Sequence, residues 1–163
     1  MVTTIVLTIL MCALLFMMVW AAVYLFPSRK LMRFFSQDIR RKTMRHKPPF
    51  AAAPLIGWMV MGICVAGFLA VLLYAGWDGI RMEYIFGQFF VRYLIILLGV
   101  KVFDLIFLDF FLITRTHFFQ FYLPETRGCK GYRRFGYNAR QQLIQTIAMP
   151  LLSLLFAFLC TLF

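Results

Sequence analysis

Charged residues are scarce in this chain, and acidic residues are the scarcest. Only 14% of the 163 residues are charged, and 6 Asp and Glu stand against 17 Lys and Arg. Soluble domains carry about 25% charged and roughly 45–50% apolar residues, whereas 63% of this chain is apolar. A fold surrounded by water cannot bury so large an apolar fraction. The composition therefore predicts that residues 1–163 form a single transmembrane domain.

Motifs for catalysis, cofactors or metals are also missing. No CxxC pair, zinc-finger spacing, Gly-rich phosphate loop or RNA-binding signature occurs. The 4 cysteines stand apart from one another, and single cysteines in apolar runs usually behave as small hydrophobic side chains. The sequence therefore predicts no cofactor, no metal ligand and no catalytic residue, and it leans away from an enzyme.

The net charge of +11 calls for an anionic partner. In a soluble protein such a charge would point to nucleic acid. Here the basic residues flank long apolar runs, and basic segments beside membrane spans usually face the anionic lipids of the cytoplasmic leaflet. We therefore predict anionic membrane lipids as partners and do not expect nucleic acid.

Four apolar runs are long enough to cross a membrane as helices. A helix needs about 20 residues to span a hydrocarbon core of about 30 Å, and the runs cover residues 4–26, 54–76, 86–113 and 143–163. The predicted fold class is an all-α membrane protein, a four-transmembrane-helix bundle.

The connections between these runs differ in charge. Connection 27–53 holds eight basic residues and one acidic residue, and connection 114–142 holds six and one, whereas the short connection 77–85 is slightly acidic. Positive charge marks the cytoplasmic side of a membrane protein. We expect a multi-pass protein of the cell membrane with connections 27–53 and 114–142 in the cytoplasm and both termini extracytoplasmic.

The first basic connection also has helical periodicity. From Ser28 to Arg45, apolar residues recur at spacings of three and four among basic ones, which is typical of an amphipathic helix lying on a membrane. A basic side chain near an anionic surface contributes about 1 kcal/mol. The alternative is that these charges only set the topology. The residues expected to contact lipid headgroups are Arg29, Lys30, Arg33, Arg40 and Arg41.

The third apolar run is unusual because it contains Arg92, Lys101, Asp104 and Asp109. Charged groups in a membrane span usually face the interior of the protein. In an α-helix, three-residue spacing brings Lys101 and Asp104 close enough to pair, so we predict this ion pair inside the bundle. Asp109, on the other flank of Lys101, can share it or pair with Arg115 or another helix. Arg92 and Asp109 are expected within reach of opposite membrane interfaces.

The second and fourth runs carry further signals. Gly62, Ala66 and Ala70 form a stripe of small residues that favours close helix packing. In the fourth run a kink is predicted at Pro150, and Gln145 just before it can line a polar cavity with the charges of the third run. The candidate intramembrane polar site comprises Lys101, Asp104, Asp109, Arg92 and Gln145.

Three hypotheses for function follow. The first is a non-enzymatic accessory or scaffold subunit, whose charged third run mediates packing or assembly with copies of itself or another membrane protein. The second is a small transporter or conductance with a polar path at Lys101 and Asp104. The third is an enzyme acting on a lipid or isoprenoid at the cytoplasmic interface, with Asp109 and His117 as its polar candidates.

Overall fold

Helices and short connecting turns make up the part of the chain that the structure describes. The computed structural model describes residues 1–25, 37–43, 48–116, 118–133 and 139–162. No strand occurs in these ranges. The prediction of an all-α protein is therefore confirmed for the described chain.

Six α-helices and one π-helix follow one another in the described residues. The helix α4 runs directly into the π-helix, and two short 3-10 turns, Pro124–Thr126 and Lys130–Arg133, lie between α5 and α6. The helix bounds are α1 Val2–Tyr24, α2 Gln37–Thr43, α3 Ala53–Arg81, α4 Phe86–Phe103, the π-helix Asp104–Arg115, α5 Phe118–Tyr122 and α6 Ala139–Cys160.

Three of these helices, α1, α3 and α6, are long and apolar enough to cross a membrane. The third predicted run corresponds to α4 and the π-helix, which carry the charged residues and are not among those three. The two largest differences from the predicted boundaries are that α3 continues five residues past Gly76 to Arg81 and that α6 begins at Ala139 instead of Leu143. The structure therefore supports three candidate spans, and the fourth stays a prediction.

Several small side chains of the long helices are buried, whereas many large apolar ones face outward. On α6, Ser153 and Ala157 are buried, whereas Leu151 is 62% and Phe158 55% exposed. On α3, Ala75 is fully buried and Leu73 is 74% exposed. Water would penalise so much exposed apolar surface, whereas small residues at helix contacts are usual in lipid. The distribution suggests a membrane protein.

Helix α4 is the central element of the bundle, since it packs mainly against α6 and α1, while α1 also packs against α3. Glycines allow these approaches. A Cβ built at Gly99 would lie 2.6 Å from Cγ2 of Thr8 on α1, and one at Gly76 would lie 2.8 Å from the Tyr93 hydroxyl. Because glycine has no side chain, α4 can approach α1 closely at Gly99 and α3 closely at Gly76.

The predicted small-residue stripe on α3 does not face the bundle. Gly62, Ala66 and Ala70 are all exposed, and a Cβ at Gly62 would meet nothing within 4 Å. The buried face of α3 instead includes Cys64 and Val71, which lie on another side of the helix. Within this chain the stripe is not a packing surface.

Gly79 and Gly62 provide a matched pair of substitutions. Gly79→Ala would drive a Cβ into the Phe89 ring, and overpacking of this kind costs about 1–3 kcal/mol. Gly62→Ala meets open space and should gain about 0.5–1 kcal/mol from helix propensity. Denaturant unfolding in detergent measures both, and equal stabilities of the two variants would contradict the packing of α3 on α4.

The described parts of the two basic connections meet at one end of the bundle. Helix α2, from the first, packs against both 3-10 turns of the second, and the Gly131 N–H donates to Oδ2 of Asp38 at 2.9 Å. The hydroxyls of Thr126 and Tyr132 pair at 2.9 Å. Burial raises the pKa of Tyr132 to about 12, so this phenol stays protonated at neutral pH. The described parts of these connections form one folded cap.

The cap corrects part of the interfacial-helix prediction. Ile39, one of the apolar residues of the predicted amphipathic helix, is 1% exposed and packs in a cluster with Phe119 and Leu123. The apolar periodicity is real, but protein covers this residue. Arg41 is exposed. The remaining lipid-contact predictions lie outside the described residues, namely Arg29, Lys30, Arg33 and the side chain of Arg40.

Candidate functional site

A buried arginine joins three helices at the end of the bundle that holds the α3–α4 turn. Arg92 of α4 is 3% exposed and forms an ion pair with Asp78 of α3. Its Nη1 donates to the Ala75 carbonyl at 2.9 Å, and its Nε donates to the Thr4 hydroxyl of α1 at 3.3 Å. The guanidinium also lies 5.1 Å from the centre of the Tyr84 ring. One cation thus ties α1, α3 and α4 together.

Arg92 lies apart from the other residues of the predicted polar site. It is buried and shares no partner with Lys101, because nine residues of helix separate the two by about 13 Å. Asp78 was assigned to the connection 77–85, but α3 continues to Arg81 and carries Asp78 into the bundle, where it is 8% exposed. The apolar run ends before the helix does, which is why hydropathy misses this pair.

A second buried network surrounds Lys101, which is 6% exposed. Its Nζ donates to Oδ2 of Asp104 at 2.9 Å, to Oε1 of Gln145 at 2.7 Å and to Oε1 of Gln142. The predicted pair of Lys101 and Asp104 is therefore confirmed, and Gln145 lies beside it as expected. Three acceptors use all three protons of the ammonium group.

The π-helix brings Asp109 to the same network. In a π-helix the backbone hydrogen bonds join residues five apart, so Asp104 and Asp109 lie about one turn apart on one side. In an α-helix the same spacing would turn Asp109 about 140° away. Gln142 of α6 donates from Nε2 to Oδ2 of Asp109 at 2.6 Å. Of the partners considered for Asp109, another helix is the one found.

Gln142 is the central residue that the sequence prediction omits. It accepts from Lys101 and donates to Asp109, so it links the two ends of the network. The predicted fourth run begins at Leu143 and leaves Gln142 in the connection. The signal is nevertheless present, since Gln142 and Gln145 are three residues apart and would share one face of a helix.

A cavity of about 350 Å³ adjoins this network. Its polar side is formed by Lys101, Asp104, Asp109 and glutamines of α6, whereas α1 supplies a wall of apolar side chains. The cavity thus combines a charged end with an apolar wall, as small-molecule sites often do. The apolar residues of the α1 wall are Leu15, Met18, Val19, Ala22 and Val23.

An apolar layer separates the two buried networks. Met11 of α1 is 2% exposed and Ile96 of α4 is fully buried, and both belong to one packed cluster that also contains Tyr93. The Arg92 group and the Lys101 cavity are therefore separate polar sites divided by packed side chains. The predicted five-residue polar site divides accordingly, with Arg92 in one and Lys101, Asp104, Asp109 and Gln145 in the other.

No metal-binding cluster and no unsatisfied buried polar atom accompanies these networks in the described ranges. Groups of three or more His, Cys, Asp or Glu able to hold a metal do not occur there. Every buried side-chain nitrogen or oxygen described has a hydrogen-bond partner. His117, a candidate of the enzyme hypothesis, lies outside the described residues.

Known proteins offer no guide to this arrangement. A comparison of the chain with protein-family models, with curated proteins and with solved structures gives no match.

Proposed function

We propose that the chain is a four-span integral protein of the cell membrane that serves as a non-enzymatic accessory or scaffold subunit. The supporting observation is where the charges lie. Arg92 and Lys101 are buried, and every side-chain nitrogen of both bonds to a group of the same chain, while the outer faces of α3 and α6 carry large apolar side chains. Charges in lipid require such partners, and groups that are satisfied internally fix helix packing.

The cap supports the orientation that we propose. Packing of α2 on the 3-10 turns puts the described parts of both basic connections at one end. Positive charge favours the cytoplasmic side, so we assign the cap to the cytoplasm, and both termini and the α3–α4 turn to the outside. Exposed basic residues of the cap, such as Arg41, are then positioned for anionic lipid headgroups.

The conductance hypothesis has less support from the geometry. A polar path across one chain must connect the Lys101 cavity with the Arg92 end, and the layer that contains Met11 and Ile96 lies between them. Lys101 is also held by three acceptors, which opposes its use as a moving charge carrier. The buried network is better suited to holding α4 and α6 together.

Cysteine accessibility tests the orientation. Single cysteines are placed at two exposed positions, Arg41→Cys in the cap and Glu83→Cys in the α3–α4 turn, in a chain whose native cysteines are replaced by serine or alanine. A membrane-impermeant maleimide should label Glu83→Cys in intact cells and Arg41→Cys only after the membrane is opened. Labelling of both cysteines in intact cells would contradict the four-span topology.

The accessory role predicts assembly without transport. In mildly solubilised native membranes the chain should run in a complex of defined size, and purified protein in liposomes should carry no proton or ion flux above that of lipid alone. The double variant Lys101→Met/Asp104→Leu should preserve folding and assembly. Flux that depends on the protein and disappears in this variant would instead establish the conductance hypothesis.

A further inference from the structure

We propose that the cavity beside Lys101 binds a single-chain amphiphile with a cationic ammonium head. Asp104 and Asp109 bind the head, and the aliphatic chain lies along the apolar α1 wall. This binding activity goes beyond the scaffold role and does not depend on it.

The net charge of the cavity favours a ligand with a positively charged head. Lys101, Asp104 and Asp109 all line it, so the ionised groups sum to one negative charge. An ammonium head would neutralise this excess, whereas an anionic head would double it next to two carboxylates. In surroundings of low dielectric such a difference strongly favours the cation.

The hydrogen bonds point to the same ligand. The ammonium group of Lys101 donates its three protons to Asp104, Gln142 and Gln145, so it has no proton left to donate to an anionic ligand. Each aspartate accepts one side-chain bond within the described chain, through Oδ2 in both residues. Asp104 retains 27% side-chain exposure. The free Oδ1 atoms are acceptors, and a primary ammonium supplies three donors.

The size and lining of the cavity limit the rest of the ligand. A cavity of roughly 150 Å³ holds benzene, so about 350 Å³ has room for about a dozen non-hydrogen atoms by the same scale. The walls of Leu15, Met18 and Val19 offer no hydrogen bonds. An unbranched alkyl chain of moderate length suits this volume and lining.

Binding of decylamine to the full-length protein tests the proposal. The protein is held in nonionic maltoside micelles at about pH 7, where an alkylamine is protonated, and the titration is followed by calorimetry against micelles without protein. We expect saturable binding of one decylammonium per chain. Decanol should bind about tenfold more weakly, and decanoate should show no saturable binding.

Variants locate the site. Asp109→Asn preserves the shape and the acceptor for Gln142 but removes a charge, and should weaken decylammonium binding at least about tenfold. Glu83→Gln is the matched control, because it removes an acidic charge from the exposed α3–α4 turn and should leave the affinity unchanged. Met18→Trp fills the cavity and should abolish binding, with the size-exclusion profile confirming that each variant is folded.

Three results would overturn the proposal. These are decanoate binding as tightly as decylammonium, the absence of saturable decylammonium binding to folded wild-type protein, and unchanged affinity in both Asp109→Asn and Met18→Trp. If Asp109→Asn does not fold, the proposal is still tested by comparing decylammonium, decanol and decanoate and by the Met18→Trp variant. None of these results bears on the cysteine labelling, so the failure of this proposal is distinguishable from failure of the proposed topology.

Discussion

Arg92→Met is expected to cost about 3–5 kcal/mol of unfolding free energy, the range found when one partner of a buried ion pair is removed. The substitution leaves the Asp78 carboxylate, which is 8% exposed, without its cationic partner, and it removes the donor to the Thr4 hydroxyl on α1. The helices α1, α3 and α4 lose their shared cation at once. Unfolding of purified protein by SDS in mixed micelles measures the loss.

Two further variants distinguish the charge of Arg92 from the geometry of its hydrogen bonds. The double variant Arg92→Met/Asp78→Leu should recover most of the loss, because no buried charge is left unpaired. Arg92→Lys should be intermediate, since one ammonium cannot reproduce the planar fork that reaches Asp78, Ala75 and Thr4 together.

Arg81→Met is the matched control for this prediction. Arg81 is exposed and lies 5.7 Å from the centre of the Trp77 ring. Its loss should cost less than about 1 kcal/mol. If Arg92→Met were no worse than Arg81→Met, the buried pair would not hold the helices.

The contrast between the two ion pairs explains how far local spacing can predict this fold. Lys101 and Asp104 are three residues apart on one helix, so their pairing follows from helix geometry alone. Arg92 and Asp78 lie on different helices, and their pairing depends on where α3 ends. Hydropathy reports the end of the apolar run at Gly76, whereas the helix continues to Arg81 and brings Asp78 to its partner Arg92 inside the bundle.

Periodicity likewise identifies a face without identifying what it contacts. One face of α3 carries Gly62, Ala66 and Ala70, and another carries the buried residues Cys64 and Val71. Which of the two faces is buried depends on the long-range approach of α1 and α4. Ile39 is apolar at helical spacing, but the sequence does not reveal that Phe119 and Leu123 cover it. In both cases the sequence identifies the face but not its partner.

The position of Asp109 could not be predicted for a different reason. Its distance from Asp104 along the chain is fixed, but its direction depends on whether the backbone hydrogen bonds join residues four or five apart. An α-helix assumption separates the two carboxylates, and the observed π-helix brings both to the cavity. A change in backbone register, which residue spacing does not report, therefore assembles the acidic side of the candidate site.

Lys101→Met is expected to cost about 3 kcal/mol of unfolding free energy, the lower end of the range for a broken buried pair. The loss should be smaller than that of Arg92→Met because Asp104 keeps 27% side-chain exposure and can be solvated from the cavity. The double variant Lys101→Met/Asp104→Leu removes the unpaired charge and should recover part of the stability.

That recovery should be less complete than for Arg92→Met/Asp78→Leu. Lys101 also donates to the amide oxygens of Gln142 and Gln145, and each unmet hydrogen bond costs about 1 kcal/mol. Adding Gln145→Leu to the double variant should therefore raise stability, whereas Thr146→Val, on the exposed side of α6, should not. If Lys101 served only to neutralise Asp104, the double variant would recover fully and Gln145→Leu would add nothing. A gain from Gln145→Leu that Thr146→Val does not give would show that Lys101 also holds Gln145 and so joins α4 to α6.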